Sequence, residues 1–532
     1  MNYKYAILIY IFSSILYNQE HIPFDVSKQF AVPIENNQLL WNDDKSFNKL
    51  LIDRSSRNFK NKFTNLDFEE LPEDSSYVKS KFIYEFGDYG FDKLSIGLKK
   101  HSKDEEFQFK GSKKSFFGQY SEFSNAENPP LSLFYKFDYS KNFENNKLYS
   151  SIGYFREESQ FIFNLPIDID PSINSEFSDF VSLTIGNSFI KNNYHVDVRL
   201  NHLSKYESTQ IVQYSLNNRY ELERNKISAH IHNGNFLSLK IALDNNHYKN
   251  ERLNTGFSQN TLSFTNANNF IFGNFIYGFD FIEQKIKPNL VYRNIFGMFS
   301  IFYELRNQAS MVVLDSYDFN HFGKFEGKNF ETWQSISTTY MFDLNIDLST
   351  TLKYVNAKNI VIPKDLGEVF IPEADRYQFE DDTMISLQTK FAIPFKYGSF
   401  NFNHSYNFYD SLISSNRSHI LALDYLYSLS LVKENLGING KLSLQFMSKN
   451  NSDFSFNYFK NMPEKKNNIE SDDFINISIS TEIAISDVIL TIKLQNALNK
   501  FNEKEDYSMV THEFFNPISS LLTFGIIWEF DD

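Results

Sequence analysis

Two histidines one residue apart, His230 and His232 in SAHIHNG, are the first place where side-chain type and spacing suggest chemistry. On an extended strand, residues i and i+2 share a face, so both imidazoles could ligate one ion. Two ligands are an incomplete set, and the other histidines are scattered, so the pair reads as lumen or loop histidines. A second candidate is the acidic segment PEADRYQFEDD, where Glu373, Asp375, Glu380, Asp381 and Asp382 could gather oxygen ligands for Ca²⁺. It lacks the spacing and turn glycine of a calcium loop and reads as a solvated external loop. No GxSxG turn, phosphate-cradling glycine loop or carboxylate pair on one strand face stands out. The chain is therefore read as a non-enzyme, with no catalytic residue, no cofactor and no metal assigned. Zero cysteines exclude disulfides, thiolate metal sites and lipid attachment through an N-terminal cysteine.

The elements that must carry these residues are strands. In LSLFYKFDY, Leu131, Leu133, Tyr135, Phe137 and Tyr139 share one face, opposite Ser132, Lys136 and Asp138. In MFSIFYELR, Phe299, Ile301, Tyr303 and Leu305 oppose Ser300, Glu304 and Arg306. In SFNFNHSYNFYD, Phe400, Phe402, Tyr406 and Phe408 oppose Asn401, Asn403, Ser405 and Asn407. HILALDYLYSLSLV places Leu421, Leu423, Tyr425, Tyr427, Leu429 and Leu431 on one side. This period-2 alternation runs for about ten residues per segment, the length a tilted strand needs to cross a hydrocarbon layer. Long and short connections alternate along the chain: Ser486-Asp487 and Lys396 to Gly398 are tight, whereas 359–383, NMPEKKNNIESDD and 501–520 are long. Segregation of loop length by parity belongs to a membrane barrel with short turns at one end and long loops at the other.

Composition agrees. The 532 residues hold 57 Phe, 31 Tyr and 17% aromatics in a uniform texture from about residue 77 onward, with no break that would mark further domains. A mean hydropathy of −0.41 and the lack of a long internal apolar run exclude a helical membrane protein. A net charge of −14 with no basic cluster argues against nucleic acid. MNYK followed by YAILIYIFSSILY has the order of a secretory signal, expected over 1–17. Residues 18–76 are charge-rich and irregular, with one short helix expected around Lys45 to Asp53; they read as an N-terminal periplasmic or lumenal extension. The expected fold is all-β: a large antiparallel transmembrane β-barrel over 77–532, of about 22 strands (roughly 18 to 24). At ~4.8 Å between tilted strands its diameter is on the order of 45–50 Å, too wide for side chains to fill.

The C-terminal residues add a resemblance. In SSLLTFGIIWEFDD, Leu522, Phe524, Ile526, Trp528 and Phe530 fall on one face. Together with LQNALNKFN, this end resembles the last two strands of TonB-dependent outer-membrane receptors over about residues 488–530. The resemblance makes Asn496, Ala497, Leu498 and Asn499 the family's penultimate-strand turn motif. It makes Phe524, Gly525, Trp528 and Phe530 the signal read by the outer-membrane assembly machinery. Two acidic residues, Asp531 and Asp532, follow the aromatic where the family usually stops, the 18–76 leader is shorter than the family's plug, and no energy-coupling box follows residue 18. What the resemblance implies is an exported barrel of the Gram-negative type in outer-membrane lipid, moving solutes as a receptor-like transporter or porin without a complete plug. Its implied partners are the assembly machinery and an energy-coupling protein or surface lipoprotein. The competing readings are a surface polysaccharide-binding or export barrel and a secreted structural β protein such as an adhesin.

Overall fold

The computed structural model describes residues 76–531 except 116–130, 161–173, 192–193, 212–215, 234–236, 251–254, 271–272, 283–284, 310–329, 344–346, 364–376, 409–418, 433–435, 449–453, 458–461, 466–472, 496 and 499–519. The expected signal over 1–17, the helix at Lys45 to Asp53 and almost all of the 18–76 extension lie outside the described residues.

The alternating segments fold as strands in chain order. The first eight are Tyr77–Gly87 (β1), Phe91–His101 (β2), Glu105–Ser115 (β3), Leu131–Asn142 (β4), Asn146–Gln160 (β5), Asn174–Lys191 (β6), Tyr194–Ile211 (β7) and Leu216–Asn233 (β8). The next eight are Leu237–Asn250 (β9), Thr255–Phe270 (β10), Gly273–Ile282 (β11), Lys285–Phe296 (β12), Phe299–Ala309 (β13), Phe330–Asp343 (β14), Asp347–Pro363 (β15) and Tyr377–Phe395 (β16). The last eight are Gly398–Asn407 (β17), His419–Val432 (β18), Leu436–Met447 (β19), Phe454–Asn457 (β20), Met462–Lys465 (β21), Phe474–Ile485 (β22), Val488–Gln495 (β23) and Leu521–Asp531 (β24). The pair β20–β21 is a separate hairpin between β19 and β22; the other strands form one 22-stranded sheet. Every pairing in that sheet is antiparallel between chain neighbours, and β24 returns to pair with β1 from Lys79↔Asp531 to Gly87↔Thr523. The sheet is a closed barrel, and closure leaves no edge strand exposed.

Every long connection falls at one end of the barrel, whereas short ones occur at both. The links 102–104, 143–145, 192–193, 234–236, 271–272, 297–298, 344–346, 396–397, 433–435 and 486–487 all fall at one end, here called the short-turn rim. At the other end, the long-loop rim, lie the long links 116–130, 161–173, 310–329, 364–376, 448–473 and 496–520. Ser486, with φ 50°, supplies the left-handed residue that a two-residue hairpin turn requires.

Outward side chains form an apolar belt that includes Ile96, Ile152, Leu200, Ile227, Leu352, Leu442, Leu490 and Phe524, all exposed. Each such side chain is worth roughly 1.5–3 kcal/mol when covered, so the belt demands an apolar surrounding, and we read the strands as membrane-spanning. Trp528 and Phe530 stack 4.2 Å apart toward the short-turn rim, where amphipathic rings favour an interface.

Three expectations are corrected. Strand length reaches 18 residues in β6, β7 and β8 and 19 in β16, well beyond the ten or so expected. The apolar face ends part-way: His202, Asn225, Asn245 and Asn260 form a row of register partners across β7 to β10, with hydrogen bonds His202–Asn225 at 2.8 Å and Asn245–Asn260 at 2.6 Å. Beyond that row backbone pairing continues, and the described outward side chains include Ser208, Glu221, Glu223, His247 and Lys249. The same continuation shortens the expected 359–383 link, because β15 runs to Pro363 and β16 begins at Tyr377. In the other direction, the stretch LQNALNKFN leaves the sheet early: β23 stops at Gln495, and Ala497 and Leu498 are helical.

Candidate functional site

The barrel's inner wall is its candidate functional surface, and a recessed part of it spans the seam between the two chain ends. Glu85 of β1 turns inward with its side chain 8% exposed. On one flank stands its register partner Lys93 of β2, with Nζ 3.3 Å from Oε2. On the other flank stands Gly525 of β24, and beyond it Lys493 of β23, whose Nζ lies 2.5 Å from Oε1. The carboxylate reaches over β24 because residue 525 has no side chain. A Cβ there would lie 2.5 Å from Thr491 Oγ1 and 2.8 Å from Glu85 Cγ. Lys81 pairs with Glu529 at 2.5 Å nearer the short-turn rim, and the Leu522 N–H donates to Asp88 Oδ2 at 3.0 Å at the opposite end. Charge-assisted contacts therefore fasten the seam along its length. Lys81, Glu85, Lys441, Glu482, Lys493 and Gln495 line a recess of about 650 Å³ on this wall.

The polar lining continues on both sides. Ser443 donates to Asp424 Oδ1, and Lys441 sits 3.2 Å from Asp424 Oδ2. Asn476 donates to Gln445 at 3.4 Å and accepts from Ser478 at 3.3 Å. Among the described residues the buried charged groups are Glu85, Lys93, Lys110 and Lys114, three cations to one anion. A small apolar knot of Phe134 and Phe155, with Leu203 against it, interrupts the lining across β4, β5 and β7.

A second cluster lies on the inner wall near the short-turn rim. The Tyr149 ring covers Gly186 on the neighbouring strand, where a Cβ would fall 2.1 Å from its Cζ. Its hydroxyl donates to Asp197 Oδ1 at 2.8 Å, and Arg199 clamps the same carboxylate with Nε and Nη2, each at 2.8 Å. The guanidinium carbon stands 5.5 Å from the Tyr149 ring centre. Beside Asp197 are three imidazoles: His232 and His195 are register partners, and His230 precedes His232 on the same face of β8. His230 Nε2 shares a hydrogen bond with Ser238 Oγ at 2.8 Å, whereas His232 Nδ1 is buried without a partner among the described residues. At the rim itself, the Lys141 ammonium, hydrogen-bonded to Glu105 at 2.5 Å, holds that carboxyl below its ordinary range.

The sequence candidates fare as follows. His230 and His232 do share an inward face, and the structure adds His195, which sequence spacing could not supply. Glu373 and Asp375 lie outside the described residues, while Glu380, Asp381 and Asp382 sit on strand β16 and not in a loop. Phe524, Trp528 and Phe530 point outward and are exposed, and Gly525 faces inward under Glu85. Ala497 is buried and Leu498 half-buried just above β23, while Asn496 and Asn499 lie outside the described residues. Among the described residues the inner wall presents a polar lining, and no acid–base or nucleophilic constellation is assembled on it.

No sequence-family model and no curated protein sequence matches the chain. Solved structures do match in fold. The FrpB iron transporter of Neisseria meningitidis (F5-1 variant) superposes with a TM-score of 0.62 at 7% identity, covering 86% of this chain and 83% of that one. The ferric enterobactin receptor PfeA of Pseudomonas aeruginosa, in a doubly substituted form, gives 0.61 at 10% identity, with 86% and 80% covered. FpvA of P. aeruginosa, bound to a heterologous pyoverdine, gives 0.60 at 10% identity, with 85% and 72% covered. Identities this low speak for fold alone. The fold is the 22-stranded barrel of TonB-dependent receptors, in agreement with the resemblance of the last two strands.

Proposed function

We propose that this protein is an outer-membrane barrel that moves solutes across the membrane, a receptor-like transporter or porin. The observation that carries the reading is a closed 22-stranded wall, greasy outside and polar inside, too wide for its own side chains to fill. The fold neighbours include an iron transporter and receptors for ferric enterobactin and ferripyoverdine, which makes transport the favoured use of the same architecture here. We further infer that the 18–76 extension is a periplasmic or reduced plug-like segment that limits conduction through the lumen. Export by the 1–17 signal, insertion by the assembly machinery, and an energy-coupling protein or surface lipoprotein as partner belong to the same proposal.

The test is conductance in planar bilayers, with a heat-shifted band on a gel certifying that the barrel is folded. The full chain is expected to conduct weakly and a variant lacking 18–76 to conduct strongly. A folded barrel silent in both forms would defeat the transport reading. Equal, large conductance in both would remove the extension from the lumen.

A further inference from the structure

We propose that His195, His230 and His232 form a three-imidazole site for a divalent transition-metal ion at the short-turn rim of the lumen. The inference does not rest on transport: it follows from how two neighbouring strands are paired. His230 and His232 share the inner face of β8, and the β7–β8 register sets His195 directly opposite His232. Their ring centres stand 4.7 Å apart for His195–His232 and 5.3 Å apart for His230–His232.

Those separations are what an ion would require. With an ion–nitrogen distance of ~2.0–2.1 Å, an imidazole centre lies roughly 3.2 Å from the ion, and two rings at tetrahedral angles are then about 5 Å apart. In their present rotamers the rings meet edge to face, and no three ligating side chains among the described residues converge on one point. Rotation about the Cβ–Cγ bond redirects the ring nitrogens while hardly moving the ring centre, because that bond points at it. Each of these two pairs is thus one torsion per ring away from a shared ligand point, with His232 common to both. An independent observation marks the centre as unsatisfied: His232 Nδ1 is buried with no hydrogen-bond partner among the described residues, a condition that an ion would relieve. His195 is exposed, so an ion has a path from the rim.

The surroundings suit a borderline ion better than a hard one. Three neutral nitrogens favour Zn²⁺, Ni²⁺ or Cu²⁺ over Ca²⁺ or Mg²⁺. Ser238 Oγ holds His230 Nε2, which leaves Nδ1 as that ring's ligating atom and fixes its tautomer as an outer-shell partner would. Asp197, the register partner of His230, supplies negative charge beside the site; both its oxygens are already engaged by Arg199 and Tyr149, so it acts through space. Arg199 and Lys240, the latter the register partner of His230, are the cations that oppose the ion. A fourth position is left to water.

The experiment uses the full chain folded in detergent micelles and titrated with Zn²⁺ by calorimetry and with Co²⁺ by visible absorption. One-to-one Zn²⁺ binding is expected, together with a Co²⁺ spectrum of low-coordinate, nitrogen-rich type. Single variants His195→Ala, His230→Ala and His232→Ala should each weaken Zn²⁺ at least tenfold. The double variant His404→Ala/His419→Ala, which removes an imidazole pair hydrogen-bonded at 3.2 Å elsewhere on the barrel, should leave it unchanged. Lowering the pH from 7.5 to 5.5 should abolish binding as the imidazoles protonate. Saturable binding that survives all three single variants, or binding lost in the control variant, would overturn the assignment. So would the absence of saturable binding in a barrel that passes the heat-shift test.

Discussion

Replacing Glu85 by Gln tests whether the seam is held by charge or by backbone pairing alone. The substitution keeps size and shape but removes the carboxylate shared by Lys93 at 3.3 Å and Lys493 at 2.5 Å. Lys93 is 9% exposed and Glu85 8%, so their interaction is little screened; Lys493 at 28% retains partial access to water. Removing one partner of a buried ion pair costs 3–5 kcal/mol, and discounting the more accessible lysine gives a loss of about 3 kcal/mol. Gly525→Ala attacks the same contact from the other strand, by placing a methyl 2.8 Å from Glu85 Cγ, and should cost ~1–3 kcal/mol. Because both changes act on one contact, the double variant should lose less than the sum of the two. The assay is urea unfolding of the folded barrel in micelles, followed by tryptophan fluorescence; Trp528 sits on β24 beside the seam. A Glu85→Gln barrel within about 0.5 kcal/mol of the parent, or strict additivity with Gly525→Ala, would refute the claim that Glu85 fastens β23 to β1 across β24.

Three further outcomes follow from the geometry. Gly186→Ala should displace the Tyr149 ring, take a donor from Asp197 and lower stability by ~1–3 kcal/mol in the same unfolding assay, whereas Tyr149→Phe alone should cost about 1. Ser486→Gly should raise stability by roughly 0.5–1 kcal/mol, because glycine holds the left-handed φ of 50° without the strain serine carries. Glu105 should titrate below an ordinary glutamate, so its contribution to stability is present above the unfolded-state carboxylate range and is lost as pH falls through the lowered folded value; Lys141→Gln should return the titration, read by NMR, toward normal.

The wall itself was legible because its signal is local. Alternation in LSLFYKFDY or HILALDYLYSLSLV reports which face meets lipid, and turn signals such as Ser486-Asp487 fix where each strand reverses. Strand ends were less legible, because the apolar period stops at the row of His202, Asn225, Asn245 and Asn260 while backbone pairing continues past it. The inner-wall sites were hidden for a different reason. Glu85 and Lys493 are 408 residues apart, and nothing along the chain announces that β24 will slot a glycine between them. His195 could not be joined to His230 and His232 until the β7–β8 register was known, since a shift of one residue would send it to the outer face. The functional resemblance at the C-terminus had a local carrier, but Gly525 owes its place in the folded wall to the carboxylate above it.

The bond from Leu522 to Asp88 spans 434 positions of chain. Drawing the two ends of so long a tether together costs about 5 kcal/mol of configurational freedom before any of the intervening hairpins contributes. A cylinder also cannot be half shut: a wall lacking its last stave leaves two raw edges, each ready to recruit a stranger. Such a molecule is expected to wait as loosely joined hairpins until its final segment arrives, and then to lock in one step. The 11 residues of β24 therefore act as a latch. A truncation there should yield aggregate, with no partly working pore.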